Sequence, residues 1–295
     1  MTKAYKDYGS WMRQQFPFRV QKISLDAGFT CPNRDGKVGR GGCVFCDNNT
    51  FNPSYCNKRK SITQQLNEGK AFFARKYPDM KFLAYFQAFS NTYAPLDQLK
   101  RLYEEALQVD DIVGIVIATR PDCIDEEKLD YLAELSRRTF LIVEYGVESC
   151  NNKTLQLINR GHSFECSRDA IVMTHERGIR VGAHIILGLP GEDRDEILRQ
   201  AEIVSSLPID ILKLHQMQII KGTRLAEGFM PAPHVFTVDE YIELIADYID
   251  ILRDDIILER FVSQSPKELL IAPNWGLKNH EFTDKLDKFL SSRNK

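Results

Sequence analysis

Residues 112–145 decide the fold. They read Ile112-Val-Gly-Ile-Val-Ile-Ala118, then a charged stretch over 126–137, then Phe140-Leu-Ile-Val-Glu-Tyr145. The two outer runs are short and rich in β-branched and aromatic residues, which is the pattern of buried strands. The stretch between them has apolar residues at helical spacing, and Asp125, Glu126 and Glu127 open it as a helix start. This is one β–α–β unit, and its two strands run parallel because the helix carries the chain back to the starting edge.

The same alternation extends in both directions. Strands are expected at 20–25, 82–87, 181–187 and 211–218, and helices near 62–76, 96–108, 166–177 and 194–205. Ser61 precedes the first of these helices and Gly178 closes the one at 166–177. Six strands separated by helices predict an α/β chain whose parallel sheet curls into a partial (β/α)6 barrel, with ligands at the carboxyl ends of the strands. After about residue 220 the rhythm changes to a helix near 238–252, an extended Ile-Ile-Leu-Glu-Arg-Phe-Val-Ser run, Ala272-Pro-Asn-Trp-Gly276 and a helix near 281–292. The expected division is a barrel over 1–220 and a small C-terminal extension over 221–295 packed on it.

With 43% hydrophobic residues the chain can bury a sizeable core. It has no run of about eighteen apolar residues, so no membrane span or membrane partner is expected. The first residues lack the apolar segment of a secretory signal, and a cytoplasmic location follows as the default. The net charge of −2 alone argues against a nucleic-acid partner. Residues 1–81, however, hold 15 Lys and Arg against 6 Asp and Glu, while the remainder hold 24 against 35. A basic face for a polyanion and ordinary variation along a chain both account for this asymmetry.

Seven cysteines, an odd number at irregular spacing, do not read as a disulfide framework. Cys31, Cys43 and Cys46 form C-x11-C-x2-C, and Cys31 follows the first expected strand. The intervening loop carries four glycines and can fold back to gather three thiolates. Three cysteines on an iron–sulfur cluster leave one iron open for a substrate or cofactor to chelate. Zinc is an alternative, with Cys56 as a fourth ligand, although paired C-x2-C units are the usual zinc pattern and one unit is present. Chance grouping of buried thiols is another. Cys123, Cys150 and Cys166 lack ligand spacing and read as packed thiols, so no second cluster is expected.

With these motifs in order, the sequence resembles the radical S-adenosylmethionine enzymes over nearly its whole length. Many of those enzymes use C-x3-C-x2-C. The longer first gap here is similar to the branch that contains the elongator catalytic subunit, and Asp26-Ala-Gly-Phe-Thr-Cys31-Pro-Asn-Arg-Asp-Gly36 resembles a bacterial subfamily of that branch. The stretch from Phe261 to Gly276 resembles the C-terminal region of the same subfamily. The resemblance implies a [4Fe–4S] cluster on Cys31, Cys43 and Cys46, with S-adenosylmethionine beside it. Phe45 corresponds to the aromatic that packs near the adenine.

Gln87-Ala-Phe-Ser90-Asn91-Thr92 stands where the family often has Gly-Gly-Glu for the methionyl amino group. Without the glycines and the acid, Gln87, Ser90, Asn91 and Thr92 would bind through amide, hydroxyl and backbone groups. Glu148, in Glu144-Tyr-Gly-Val-Glu148-Ser149, suits the ribose hydroxyls, and a solvated loop acid is its bland alternative. Arg160, in Arg160-Gly161-His162, would pair with the methionyl carboxylate. Gly188, in Gly188-Leu-Pro190-Gly191-Glu192, belongs to the turn that backs the adenine. His162, and His215 in the sixth strand, receive no role. Lys221-Gly222-Thr223 also matches the branch.

The implied chemistry is reductive cleavage of S-adenosylmethionine to a 5′-deoxyadenosyl radical that abstracts hydrogen from a substrate, with a flavodoxin or ferredoxin as the reductant. The relatives point to a tRNA wobble uridine or its side chain. Lys3, Tyr5, Lys6, Tyr8, Trp11, Arg13, Phe16, Phe18 and Arg19 interleave cations and aromatics, and Lys58-Arg59-Lys60 adds a basic run. Such residues neutralise phosphates and stack on bases, or equally pack on the barrel and face water. The elongator acetyltransferase region is absent from this sequence. The other readings are radical chemistry on a small metabolite or a protein residue, a non-catalytic iron–sulfur redox sensor, and a zinc adaptor.

Overall fold

The computed structural model describes residues 3–47, 53–74, 79–228 and 231–293. A short strand β1 (Lys6–Asp7) and helix α1 (Tyr8–Gln15) precede the first expected strand. The expected strands follow as β2 (Val20–Leu25), β3 (Lys81–Phe86), β4 (Ile112–Thr119), β5 (Phe140–Glu148), β6 (Arg180–Leu187) and β7 (Ile211–Gln216). The helices between them are α2 (Pro32–Asp35), α3 (Ile62–Ala74), α4 (Leu96–Leu107), α5 (Glu126–Arg138), α6 (Asn152–Leu157), α7 (Phe164–Glu176) and α8 (Arg194–Ser206). The last two positions of the helix expected at 62–76 lie outside the described residues. The chain then forms β8 (Ile219–Ile220), α9 (Val238–Ile251), β9 (Ile257–Arg260), β10 (Leu270–Ala272) and α10 (Asn279–Arg293).

The main sheet is longer than the six expected strands. Its order is β1-β9-β7-β6-β5-β4-β3-β2, and every pairing is parallel. The extended run after residue 255 therefore enters the sheet beside β7, and the N-terminal β1 pairs with it. β8 and β10 form a separate antiparallel pair.

Side chains alternate across this curled sheet with the period of two that strands impose. Leu141, Val143 and Tyr145 of β5, Val181 and Ile185 of β6, and Leu212 and Leu214 of β7 point outward and form the main core with the helices. On the inner side, Leu83, Ile142, Ile211 and Ile257 form an apolar floor together with Met12 of α1. Two residues further along the same strands, and along β2, lie Tyr85, Glu144, Lys213, Glu259 and Lys22.

Helix α1 closes the amino-terminal end of the barrel, and its start is capped by Asp7, which accepts from Ser10 N at 2.9 Å. Trp11 and Phe16 pack there. Trp11 and Phe16 lie with ring centroids 5.9 and 5.0 Å from that of Phe140, the first residue of β5, and Tyr5 meets Phe261 edge-on at 5.1 Å. The Trp11 and Phe16 rings are thus part of the fold at the end opposite the loop that carries the cysteines, and Tyr5 packs on the outer core. The packing alternative holds for them because a half-barrel needs its lower mouth sealed with apolar surface.

Candidate active site

Cys31 leaves β2 and caps the single turn α2, which places it at the carboxyl end of the sheet. Asn33 anchors the loop: its Nδ2 donates to Asn159 O at 2.6 Å and Arg160 O at 3.3 Å and sits 3.9 Å from Cys43 Sγ. Arg34 Nη2 donates to Cys46 O at 2.7 Å, and Val44 N donates to Ile158 O at 3.0 Å. The loop wraps so closely that a Cβ on Gly39 would lie 2.2 Å from Asn33 Oδ1, which explains a glycine there.

Cys31, Cys43 and Cys46 line one cavity with Phe45, Gln87, Ser90, Arg120, Glu148 and Arg160. Arg160 is buried. Its Nη1 reaches Cys43 Sγ at 3.6 Å, Nη2 donates to Gly146 O and lies 3.5 Å from Glu148 Oε1, and its Nε has no partner. Glu148 sits at a bulge between β5 and β6 with φ +70°, a strained conformation of the kind found where a strand end is re-aimed toward a site. Arg120 grips Asp122 through two hydrogen bonds of 2.8 and 2.7 Å, and its buried Nη1 is unpartnered.

Asn91, Thr92 and Gly188 are not among the cavity-lining residues. Asn91 Nδ2 donates to Ala118 O at 2.8 Å, and Thr92 Oγ1 lies 2.7 Å from Thr119 Oγ1 and donates to Cys123 O at 2.8 Å. Both tie the loop after β3 to β4. Gly188, at φ +88°, is covered by the chain at 234–236, and a Cβ there would lie 2.6 Å from the Phe236 ring. Gly188→Ala should therefore lower stability by about 1–3 kcal/mol, measured by chemical denaturation. His162 Nδ1 lies 3.0 Å from Ser163 O, and burial with the neighbouring Arg160 pushes it down to about 3. It does not line the cavity.

The turn after Gly188 ends in Glu192, which accepts from Ser149 Oγ and from Gln200 Nε2 at 2.8 Å. Burial pushes its carboxyl up to about 7. Between the ordinary value of 4.5 and 7 the folded chain holds a proton that the unfolded chain has released. This contribution to stability is full below about 4.5 and is lost as pH rises through 7. Glu192→Gln should flatten that decline, which denaturation midpoints at pH 5 to 8 would reveal.

The cavity floor is a buried network. Glu144 Oε2 accepts from Lys213 Nζ at 2.7 Å and Tyr85 OH at 2.8 Å and lies 3.0 Å from His184 Nε2, while Oε1 accepts from Lys22 Nζ at 2.9 Å. Lys22 also donates to both oxygens of Glu259, at 2.7 and 2.8 Å. Burial alone would raise Glu144, but Lys213 and Lys22 hold it well below the usual carboxylate range. Burial pushes Lys213 down to about 8 against the pull of Glu144. Tyr85, Glu144, His184, His215 and Arg260 all face the cavity that the cysteines line.

Residues 33–202 match the Radical SAM superfamily, and residues 209–292 match the Radical_SAM C-terminal domain. The chain belongs to the radical SAM superfamily. It is 39% identical over 292 residues to the uncharacterized protein YtqA of Bacillus subtilis, covering 99% of this chain and 91% of that one. A tRNA uridine(34) acetyltransferase of Methanocaldococcus infernus is 25% identical over 189 residues, covering 61% of this chain and 34% of that protein. The structure of the archaeal Methanocaldococcus infernus Elp3 lacking its N-terminal residues superposes with a TM-score of 0.69 at 18% identity. That likeness, which is one of fold, covers 94% of this chain and 64% of the archaeal chain.

Radical SAM proteins bind a [4Fe–4S] cluster and S-adenosylmethionine. The residues here fit that pair. Three thiols border one cavity, and buried unpartnered nitrogens of Arg120 and Arg160 stand beside them. Among the described residues, no three His, Cys, Asp or Glu side chains converge on one metal ion. A cubane does not ask for convergence, since its three thiolates bind three different irons, whereas a single zinc does. Cys56, the other conceivable ligand, belongs to the apolar core. The radical SAM motifs did not reveal the floor. Its signal in the sequence was a charge within an apolar strand, as in Val143-Glu-Tyr145 and Leu212-Lys-Leu214.

Proposed function

We propose that this radical SAM enzyme cleaves S-adenosylmethionine reductively and directs the resulting radical to a tRNA base, a wobble uridine or its side chain. The observation that carries this reading is the single cavity in which three thiols, the Arg160–Glu148 pair and a polar barrel floor meet. When bound, the cluster and cofactor supply a one-electron cleavage of a carbon–sulfur bond and a species able to take hydrogen from a substrate.

Cys31, Cys43 and Cys46 hold the cluster in this reading. Arg160 presents a planar fork to the methionyl carboxylate, and Glu148 accepts from the ribose hydroxyls. Gln87 and Ser90 meet the amino group, with Asn91 and Thr92 fixing their loop. Phe45 packs against the adenine, and Gly188 holds the turn behind it. The α1 plug and apolar floor exclude water from below. The barrel core extends to about residue 220, with 221–295 as the extension that contributes β9. The reductant is a small protein such as a flavodoxin or ferredoxin, and the location is the cytoplasm. Among the described residues no helix is long and apolar enough to cross a membrane.

The RNA part is supported by the similarity to the tRNA uridine(34) acetyltransferase and by Lys37, Arg40, Lys58 and Arg59, which are exposed on the cysteine loop and the segment that follows it. The test is anaerobic reconstitution with iron and sulfide, reduction, and assay of 5′-deoxyadenosine with and without tRNA from cells lacking this protein. Stimulation by tRNA together with a mass change in one nucleoside is expected. Nucleoside formed at the same slow rate with and without tRNA would leave the radical chemistry in place and move the substrate to a small metabolite or a protein.

A further inference from the structure

We propose that Arg260 and His215 form a receiving corner for an anionic oxygen group of the substrate, a carboxylate or a phosphate. This deepens the reading of the cavity as the place where substrate meets cofactor, and rests on it.

Arg260 reaches the cavity through a local irregularity. Leu212 pairs with Leu258, but the next residue, Lys213, pairs with Arg260, so β9 carries one extra residue opposite β7. Strict alternation would turn Glu259 and Arg260 to opposite faces. The bulge instead brings both inward, Glu259 onto Lys22 and Arg260 into the cavity.

Once inside, Arg260 is left over. Among the described residues its side chain has no ion pair or hydrogen bond, and its Nε is buried without a partner. The carboxylates around it are committed: Glu144 to Lys213 and Lys22, Glu259 to Lys22 and Lys213, and Glu148 to Arg160. The floor thus has three cations, Lys22, Lys213 and Arg260, against two carboxylates, Glu144 and Glu259. His215 does not offset this. Burial, then Arg260, hold its imidazole well below the usual range, so it is neutral, and its buried Nε2 is also unpartnered. An unpaired guanidinium facing a cavity carries a desolvation cost that a ligand anion offsets.

Arg160 and Glu148, the residues proposed to hold the cofactor, come from a different part of the sheet. Arg160 lies in the turn after α6, whereas Arg260 ends β9, which is separated from β5 by β6 and β7. A guanidinium fork matches two coplanar oxygens, which both a carboxylate and a phosphate present.

The test uses the anaerobically reconstituted protein with S-adenosylmethionine bound, so that Arg160 is occupied. Carbon-13 acetate and inorganic phosphate are titrated separately and binding is read by NMR line broadening. Wild type should bind at least one of them with a dissociation constant on the order of millimolar. Arg260→Gln should weaken that binding about tenfold or more, and Arg260→Lys, which keeps the charge and loses the fork, by less. Preference for acetate assigns a substrate carboxylate, and preference for phosphate a nucleotide phosphate. Thermal transition and iron content show whether each variant is folded, and if Arg260→Gln is not, Arg260→Lys decides the outcome. Equal binding by wild type and a folded variant, or binding of neither anion by wild type, overturns the proposal. Deoxyadenosine formation by wild type is scored separately. Its failure with Arg260-dependent anion binding intact sinks only the radical reading, and the converse sinks only the anion corner.

Discussion

Replacing Lys213 with methionine should destabilise the folded protein by about 3 kcal/mol, near the lower end of the cost of breaking a buried ion pair. Lys213 and Glu144 are 2% and 1% exposed, so water cannot take over the lost interaction. Methionine fills much the same volume, which isolates the charge from the packing. The cost falls at the low end because Glu144 keeps Lys22, Tyr85 and His184 as donors. A second substitution tests the cause. Glu144→Gln added to Lys213→Met should recover a substantial part of the loss, because the carboxylate without its partner is then gone. Urea denaturation of the two single variants and the double variant measures this. Additive losses would mean that packing, and not the charge pair, sets the stability of the floor. Acid has the same target. Glu144 is held below its ordinary value, so its stabilisation is present above about 4.5 and is lost as pH falls through the lower folded-state value.

Cys43→Ala should bring iron after reconstitution from about four per chain to a small residue, and deoxyadenosine formation to the level of buffer. Cys43 is the thiol that Arg160 and Asn33 approach, and in the proposed reading its loss removes a cluster ligand. Cys56→Ala is the informative control. Its thiol is packed in the apolar core, and burial pushes it up to about 12. That variant should keep its iron. Iron lost from Cys56→Ala, or zinc found at one per chain in wild type, would replace the cluster reading with a four-thiol metal site.

The barrel was legible because its strands and helices differ in period. β2 to β7 and helices α3, α4, α5, α7 and α8 fall within a few residues of where alternation and capping put them, whereas the short α2 and α6 were not expected. β1 was not, since two residues are too short for a period to register, and β9 fell within a run read as extended whose place beside β7 was not foreseen. The cysteines stood out through spacing alone. Arg160 and Glu148 stood out through their motifs, and the structure places both on the cavity. The floor was hidden for a physical reason. A lysine in a strand usually marks a solvated face, and only closure of the sheet turns Lys22, Glu144 and Lys213 toward one another. Arg260 was less legible still, because a bulge depends on how two strands meet and has no signature in either one.

The pairing of β1 with β9 makes the order of synthesis matter. The strand at residues 6–7 has its neighbour at 257–260, so during translation it waits for roughly 10–50 s before that partner leaves the ribosome. Until then β7 presents an open edge, and Lys22 and Lys213 lack Glu259. Such an edge invites pairing with other chains. A nascent chain stalled before residue 257 should therefore be protease-sensitive and dependent on chaperones, and the last strand of the main sheet to emerge is the one that both covers the edge of β7 and delivers the unpaired arginine.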